Sequence, residues 1–488
     1  RAGEINEIYL NLLNRNVDYD GLNFYLKQSN EEILNSISKS EEYNVCKLVN
    51  QTYWKILHRV PDEEGFNAYF SHINDKQLTI EQMEKCFYDS YEYNYNVKPI
   101  EKFIKYKIKL LQEQHDQIKV VDDLLKNIKI KYICPLGTSG YAIAALDYMY
   151  VLHKHGASIT FDYPYVERLN KLENGPKFNQ QILLYNKKID YDYVIIHCMP
   201  DHWHNLCKLE RYNNMKTKIF GLFAWETDVL PKEWIKHLNS VDALIVPSQY
   251  NKIVTETVIK KPIYTIEHLI EFNDYIPKNI SNKDYTFLIV SQWNARKCVE
   301  ETIRCYLSTF SNKDNTLLYV KTFVNNNKND NNKLKIYIEN IVKNYQNPPK
   351  IIINVDYLND NDMFNLYYNC DCFLSLCHSE GVGLGACQSA YLKKSVIITG
   401  YGGQIDYIKT GYFVDYILDY VKPCIESEKL FRDHSTCTRT KCIHNEYLDG
   451  SIMKWAYPNQ EQFKKIMRYL YENEYLKLNL KEYEKIRE

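Results

Sequence analysis

The chain has 488 residues, 45% of them hydrophobic, which is ample for two or three cores and too long for one. Its formal net charge of −1 argues against a dedicated nucleic-acid binder, because neutralising phosphates needs a basic excess. No apolar stretch approaches the roughly 18 residues of a membrane span, the N-terminus carries no signal-peptide pattern, and the 14 cysteines are scattered, which points to a reducing, cytoplasmic chain rather than a disulfide framework.

The first ninety-odd residues contain a duplicated unit. INEIYLNLLNRNVDYDGLNFYL from Ile5 realigns on VNQTYWKILHRVPDEEGFNAYF from Val49 at a constant offset of 44, matching Tyr9 with Tyr53, Arg15 with Arg59, Asp18 with Asp62 and Gly21 with Gly65. Apolar spacing is helical, and Asp-x-x-Gly reads as a turn into a new helix. An echo, SEEYN at 40–44 and SYEYN at 90–94, extends the likeness to a third helix. Arg and Asp three apart are expected to form a structural pair at the turn. The units span about 1–46 and 47–96, and their own apolar periodicity makes an all-α repeat domain that should be separable from the rest of the chain. Residues 97–128 predict a connecting helix, whose basic front half suggests at most weak contact with an anionic membrane surface.

From Lys129 short apolar runs alternate with helical ones. KYICPL, ASITFDY, YVIIHCM, TKIFGLFAW and DALIVPS read as strands, and after a polar linker so do YTFLIVSQW, LLYVKTF, KIIINVDYL, CFLSLC and SVIIT. This is the α/β pattern of two Rossmann-like domains facing a cleft, over 129–275 and 276–455, with closing helices over 456–488.

Chemistry-bearing residues collect where strands end. GTSGYA puts Gly137, Ser139 and Gly140 after the first strand, where a tight strand-to-helix turn is an equal reading. His197 ends a later strand and is as fit for the core as for a ligand. FAWETD puts Trp225, Glu226 and Thr227 after another strand. In the second half, QWNARK places Arg296 and Lys297 before a helix, where cations suit a diphosphate. HSEGVGLGACQS sets three of the chain's 16 glycines within five positions after Glu380, a loop built for close backbone approach.

Taken together, the Gly-rich loop, W-E-T-D-x-L-P, W-x-x-R-K, E-G-x-G-L and the closing Gly402-Gly403 resemble the family 4 retaining glycosyltransferases of the GT-B fold, over roughly residues 130–470. The repeats resemble the small helical domain of unknown function 4214. The transferase resemblance implies roles. Glu380 would hold the donor sugar's hydroxyls, while Gly381, Val382, Gly383 and Leu384 would receive the diphosphate on backbone N–H groups and a helix N-terminus. Lys297 and Arg296 would neutralise the diphosphate, and Gly402 and Gly403 would form a small-residue turn near acceptor and sugar. It implies a nucleotide diphosphate sugar (a UDP- or GDP-sugar) as donor, a glycan or other hydroxyl acceptor, and no obligatory cofactor or metal.

Two positions depart from that pattern. Gln388 stands where the family has its second glutamate, leaving one acceptor oxygen for a ribose in place of a carboxylate. Gln292 stands where a basic residue is usual. The alternative is therefore a non-catalytic glycan- or nucleotide-binding scaffold derived from a transferase. Cys437, Cys442 and His444 have poor zinc spacing and read as a loop with free thiols.

Overall fold

The computed structural model describes residues 1–113, 120–137, 139–166, 176–270, 272, 275–278, 284–325, 327–422, 441–442 and 445–475. Cys437 and His444 lie outside them. The chain divides into two compact units, residues 1–222 with 236–244, and 223–235 with 245–488.

The first unit opens with six helices, α1 (Ala2–Leu13), α2 (Tyr19–Tyr25), α3 (Asn30–Ile37), α4 (Glu41–Leu57), α5 (Glu63–Asn74) and α6 (Ile80–Asp89). The repeat signature has a physical cause, identical in both copies. Asp18 and Asp62 cap α2 and α5, each accepting the N–H of the glycine three residues on at 2.7 Å. Arg15 and Arg59 pair with those aspartates at 3.0 and 3.3 Å and bind Glu42 and Glu92 through two hydrogen bonds each. Each guanidinium also lies 5.1 Å above a tyrosine ring, Tyr9 or Tyr53. A Cβ on Gly21 or Gly65 would fall 2.5 or 2.4 Å from that tyrosine's hydroxyl, so a larger residue would have to push the ring aside. The Arg–Asp pair is a turn lock, as its spacing suggested.

The repeats do not stand apart from the first sheet and its helices. Lys208, on the helix Trp203–Asn213, is 5% exposed and donates to the Leu10 carbonyl at 2.9 Å and to Asn14. The Tyr212 hydroxyl donates to Leu12 O at 2.9 Å, and the Trp54 indole N–H donates to Asp162 at 2.7 Å. The core cluster of the repeats takes in Tyr212 from that helix, so this face of the repeat domain is packed rather than solvated. The connecting helix, α7, runs Lys98–Glu113 and buries Ile104 and Leu111 in the sheet's core cluster.

The first sheet contains β1 (Lys129–Ile133), β2 (Ser158–Asp162), β3 (Tyr193–His197), β4 (Lys218–Leu222), β5 (Ala243–Val246) and β6 (Ile263–Thr265), in the order β2-β1-β3-β4-β5-β6. The second contains β7 (Tyr285–Gln292), β8 (Thr316–Phe323), β9 (Lys350–Asn354), β10 (Cys372–Ser375), β11 (Ser395–Thr399) and β12 (Tyr412–Val414), in the order β12-β11-β10-β7-β8-β9. The paired strands of the second sheet run parallel, and helices between them bury the apolar runs on both faces. Counted from β7, this is the doubly wound order 3-2-1-4-5-6, whose direction reverses between β7 and β10. In such sheets ligands bind outside the carboxyl ends of the strands at that reversal.

Candidate active site

Both strands at the reversal lead into loops that carry charged residues. After β7, Asn294 accepts the Lys297 N–H at 3.1 Å and forms a single turn, Ala295–Lys297, that turns two cations outward. After β10 the chain runs through Cys377, His378 and Ser379 to Glu380. The Glu380 carboxylate lies between the two cations, with Arg296 Nη1 at 2.8 Å from Oε2 and the Lys297 ammonium on Oε1. Arg296 also donates to Ser379 O at 2.6 Å and stands 3.2 Å from Glu226. Burial alone would raise the Glu380 carboxyl, but Lys297 and Arg296 outweigh it and hold it down at about 2. Arg296, flanked by Glu226 and Glu380, is held above its ordinary range despite burial. Four groups named from three separate stretches of sequence are thus one charge cluster.

The glycines of this loop are required by protein neighbours. A Cβ on Gly381 would come 2.9 Å from that of Ala224. Gly383 has φ +75° and opens the helix Leu384–Tyr391. Gly402, at φ +86°, and Gly403 pack directly on the Glu380–Gly381 backbone, and Gly403 N donates to Glu380 O at 2.7 Å. Gly402 and Gly403 are therefore the backing of the acid's loop. Around it, Asn251 Oδ1, Ser379 Oγ and Gln404 Oε1 are buried without a hydrogen-bond partner among the described residues. Such a concentration calls for water or a polar ligand. Val382 is buried, and Leu384 and Gln388 are half-buried on or beside that helix.

Other expected residues have different work. Trp225 and Thr227 turn inward: the indole N–H donates to Thr227 Oγ1 at 2.8 Å and to Val229 O at 2.7 Å, and the ring packs on Trp234. A buried aromatic with one N–H needs such an acceptor, so the pair forms a corner and leaves Glu226 as the charged member of its stretch. Gln292 donates to Val324 O at 3.0 Å. In the first unit, Ser139 caps the helix Gly140–Lys154 by accepting the Ala142 N–H at 3.3 Å, and Gly137 is buried. His197 is 1% exposed, bonded to the Tyr132 hydroxyl at 2.9 Å and ringed by tyrosines, the core alternative.

One group of residues escaped sequence reasoning. His378 donates from Nδ1 to Ala456 O at 2.8 Å, accepts from the Cys298 thiol at Nε2 at 3.0 Å, and stacks on Trp455. Its backbone N–H donates to Arg296 O at 2.8 Å. Cys298 itself takes the left-handed conformation, φ 48°. These side chains pin the cation turn to the acid loop. HSEG was legible as a motif, but nothing in the sequence joins it to Cys298 or to Trp455 and Ala456.

No protein-family model matches the chain, and no curated protein matches it. Solved structures offer distant likenesses. A TarM mutant from S. aureus, solved with fondaparinux, α-GlcNAc-glycerol and UDP, is 13% identical over 45% of this chain and 44% of that one, with a TM-score of 0.35. WaaG, a glycosyltransferase involved in lipopolysaccharide biosynthesis, is 13% identical over 59% of this chain and 86% of that one, with a TM-score of 0.40. The N-terminal domain of Candida albicans trehalose-6-phosphate phosphatase is 9% identical over 59% and 85%, with a TM-score of 0.43. The chain spans less than half the length of the TarM chains it matches. Two six-stranded sheets covered by helices are the α/β pattern of the two-domain GT-B fold. At these scores the likenesses say nothing of what the chain does, and its chemistry rests on its own residues.

Proposed function

We propose that the chain is a family 4-like, retaining glycosyltransferase that moves a sugar from a UDP- or GDP-sugar to a hydroxyl acceptor in glycan biosynthesis, with two N-terminal repeats of the 4214 type. The observation that carries the reading is the Glu380–Arg296–Lys297 cluster at the strand-order reversal of the second sheet. Breaking the bond between sugar and diphosphate leaves its electrons on a phosphate oxygen, so charge must be stabilised where it develops. Lys297 and Arg296 are two cations set side by side for that oxygen. With the cations engaged by diphosphate, Glu380 is released to accept hydrogen bonds from sugar hydroxyls. Asn251, Ser379 and Gln404 add polar atoms to the same loop.

Slow hydrolysis of UDP- and GDP-sugars by the purified chain tests the reading. Release of free nucleotide is expected, and Lys297→Ala should lower its rate by ~10²–10³, the usual loss for one such donor. Nucleotide binding without any turnover would instead mark the scaffold alternative raised by the departure at Gln388. Neither binding nor turnover would end both.

A further inference from the structure

The first unit holds a groove of about 450 Å³ that the proposed chemistry leaves unused, within the size range of small-molecule sites. It lies where the second repeat and the start of α7 meet the end of β2, and His58, Tyr95, Tyr163 and Tyr165 are among its walls. The duplication shows that this place is specialised. The residue just after the first helix of each matched pair, in the left-handed conformation, is Asn14 in one copy and His58 in the other. Asn14 binds Lys208 and docks its repeat. His58 instead lays its ring on Tyr163, with centroids 4.7 Å apart and planes 15° from parallel.

That ring is held without being satisfied. Nε2 stands 3.9 Å from Glu101, and Nδ1 stands 4.0 Å from Asp162, too far for a hydrogen bond. Nδ1 is buried and has no partner among the described residues, and the same holds for the Tyr163 hydroxyl. Tyr163 is 2% exposed, and Tyr185 influences it electrically without completing a hydrogen bond of normal geometry. Two unpartnered polar groups carried by wall residues of one groove, both covered from solvent, are a cost unless a ligand or water meets them. At the groove's open side Tyr95 is 66% exposed and stacked on Tyr91, with ring centroids 4.2 Å apart, presenting a flat aromatic face.

The charges select the occupant. Arg59 is committed to Glu92 by two hydrogen bonds and cancels it. Glu101 and Asp162 behind His58 oppose an anion, and each already faces a lysine, Lys105 at 3.6 Å and Lys131 at 3.5 Å, so neither invites a cation. An apolar ligand would leave His58 and Tyr163 unpaired. A neutral molecule with hydroxyls on its edge and C–H groups on its face meets every requirement.

We propose that this groove binds a neutral saccharide, with Tyr95 stacking on its face and the His58 and Tyr163 side chains shifting to uncover their polar atoms to its hydroxyls. The proposal goes beyond the transferase reading and stands whether or not the second unit transfers sugar.

Saturation-transfer NMR followed by calorimetric titration of the full chain tests it. The probes are glucose, galactose, mannose, N-acetylglucosamine, maltose, cellobiose and lactose. Two variants are used: Tyr95→Ala, at an exposed ring, and His58→Asn, which keeps the left-handed backbone and copies the first repeat. At least one sugar is expected to bind, each variant to weaken it tenfold or more at unchanged melting temperature, and Lys297→Ala to bind it as the wild type does. No binding by any sugar would overturn the proposal. Equal binding by Tyr95→Ala and the wild type would overturn it too, as would loss of binding in Lys297→Ala.

Discussion

Gly403 stands so close behind Gly381 that a Cβ on it would lie 1.9 Å from the Gly381 carbonyl oxygen. Two glycine turns that follow the neighbouring parallel strands β10 and β11 are thereby pressed back to back, and the loop bearing Glu380 has no room to recede. Gly403→Ala should shift that loop and cost at least the ~1–3 kcal/mol of overpacking, with loss of nucleotide binding. Gly400→Ala is the control, since its Cβ would find its nearest neighbours at 3.4 Å, an ordinary contact. Denaturant melts and nucleotide titrations of both variants check this, and equal behaviour would remove the loop's backing from the account.

His378 gives the molecule an acid-sensitive joint. Burial is the main cause that lowers it from 6.5 to about 4, and Arg296 and Lys422 reinforce the shift against the Ala456 carbonyl. The unfolded chain binds a proton below 6.5, whereas the folded chain binds it only below about 4. The group's contribution to stability is therefore complete above 6.5 and is lost as pH falls toward 4. His378→Gln should flatten the stability–pH curve in that window by one proton's share, leaving the share of the other histidines that burial lowers, His202, His204, His237 and His268 among them. Denaturant melts from pH 7 to 4 measure it, and superimposable slopes would show that His378 titrates normally.

Gln388→Glu should tighten nucleotide binding. Gln388 lies on the helix that Gly383 opens, beyond the Glu380 loop, and under the proposed function a carboxylate there would offer two acceptors to a ribose in place of one. A gain of about 1.4 kcal/mol, tenfold in dissociation constant, is the expected size. Calorimetric titration with the best nucleotide reads it. Equal or weaker binding would mean that the ribose is held elsewhere.

Removing residues 1–96 should destabilise the remaining chain. The sequence suggests a detachable domain, but truncation would expose Tyr212 and the Lys208 ammonium, which burial lowers to about 8 and which Asn14 and Leu10 now satisfy. A fall in melting temperature, or insolubility, is the expected result. A truncated chain melting with the full one would restore the separable domain.

Local pattern alone determined much of this protein. The offset repeat, the alternation of strands and helices, and the cations and acid at strand ends all follow from chain-local spacing, because helix period, strand period and turn chemistry are read within a few residues. Tertiary structure decided what those residues touch. Trp225 and Thr227 closed on each other because a buried indole N–H must find an acceptor, while Glu226, next along the chain, reached Arg296. Gly381 and Gly383, suited to a ligand's approach, were claimed by the side chains of Ala224 and Gln404, and Cys298, His378 and Trp455 became one support across more than 150 residues of chain. Contacts of that range depend on strand order, which reverses between β7 and β10, and no local periodicity encodes a reversal.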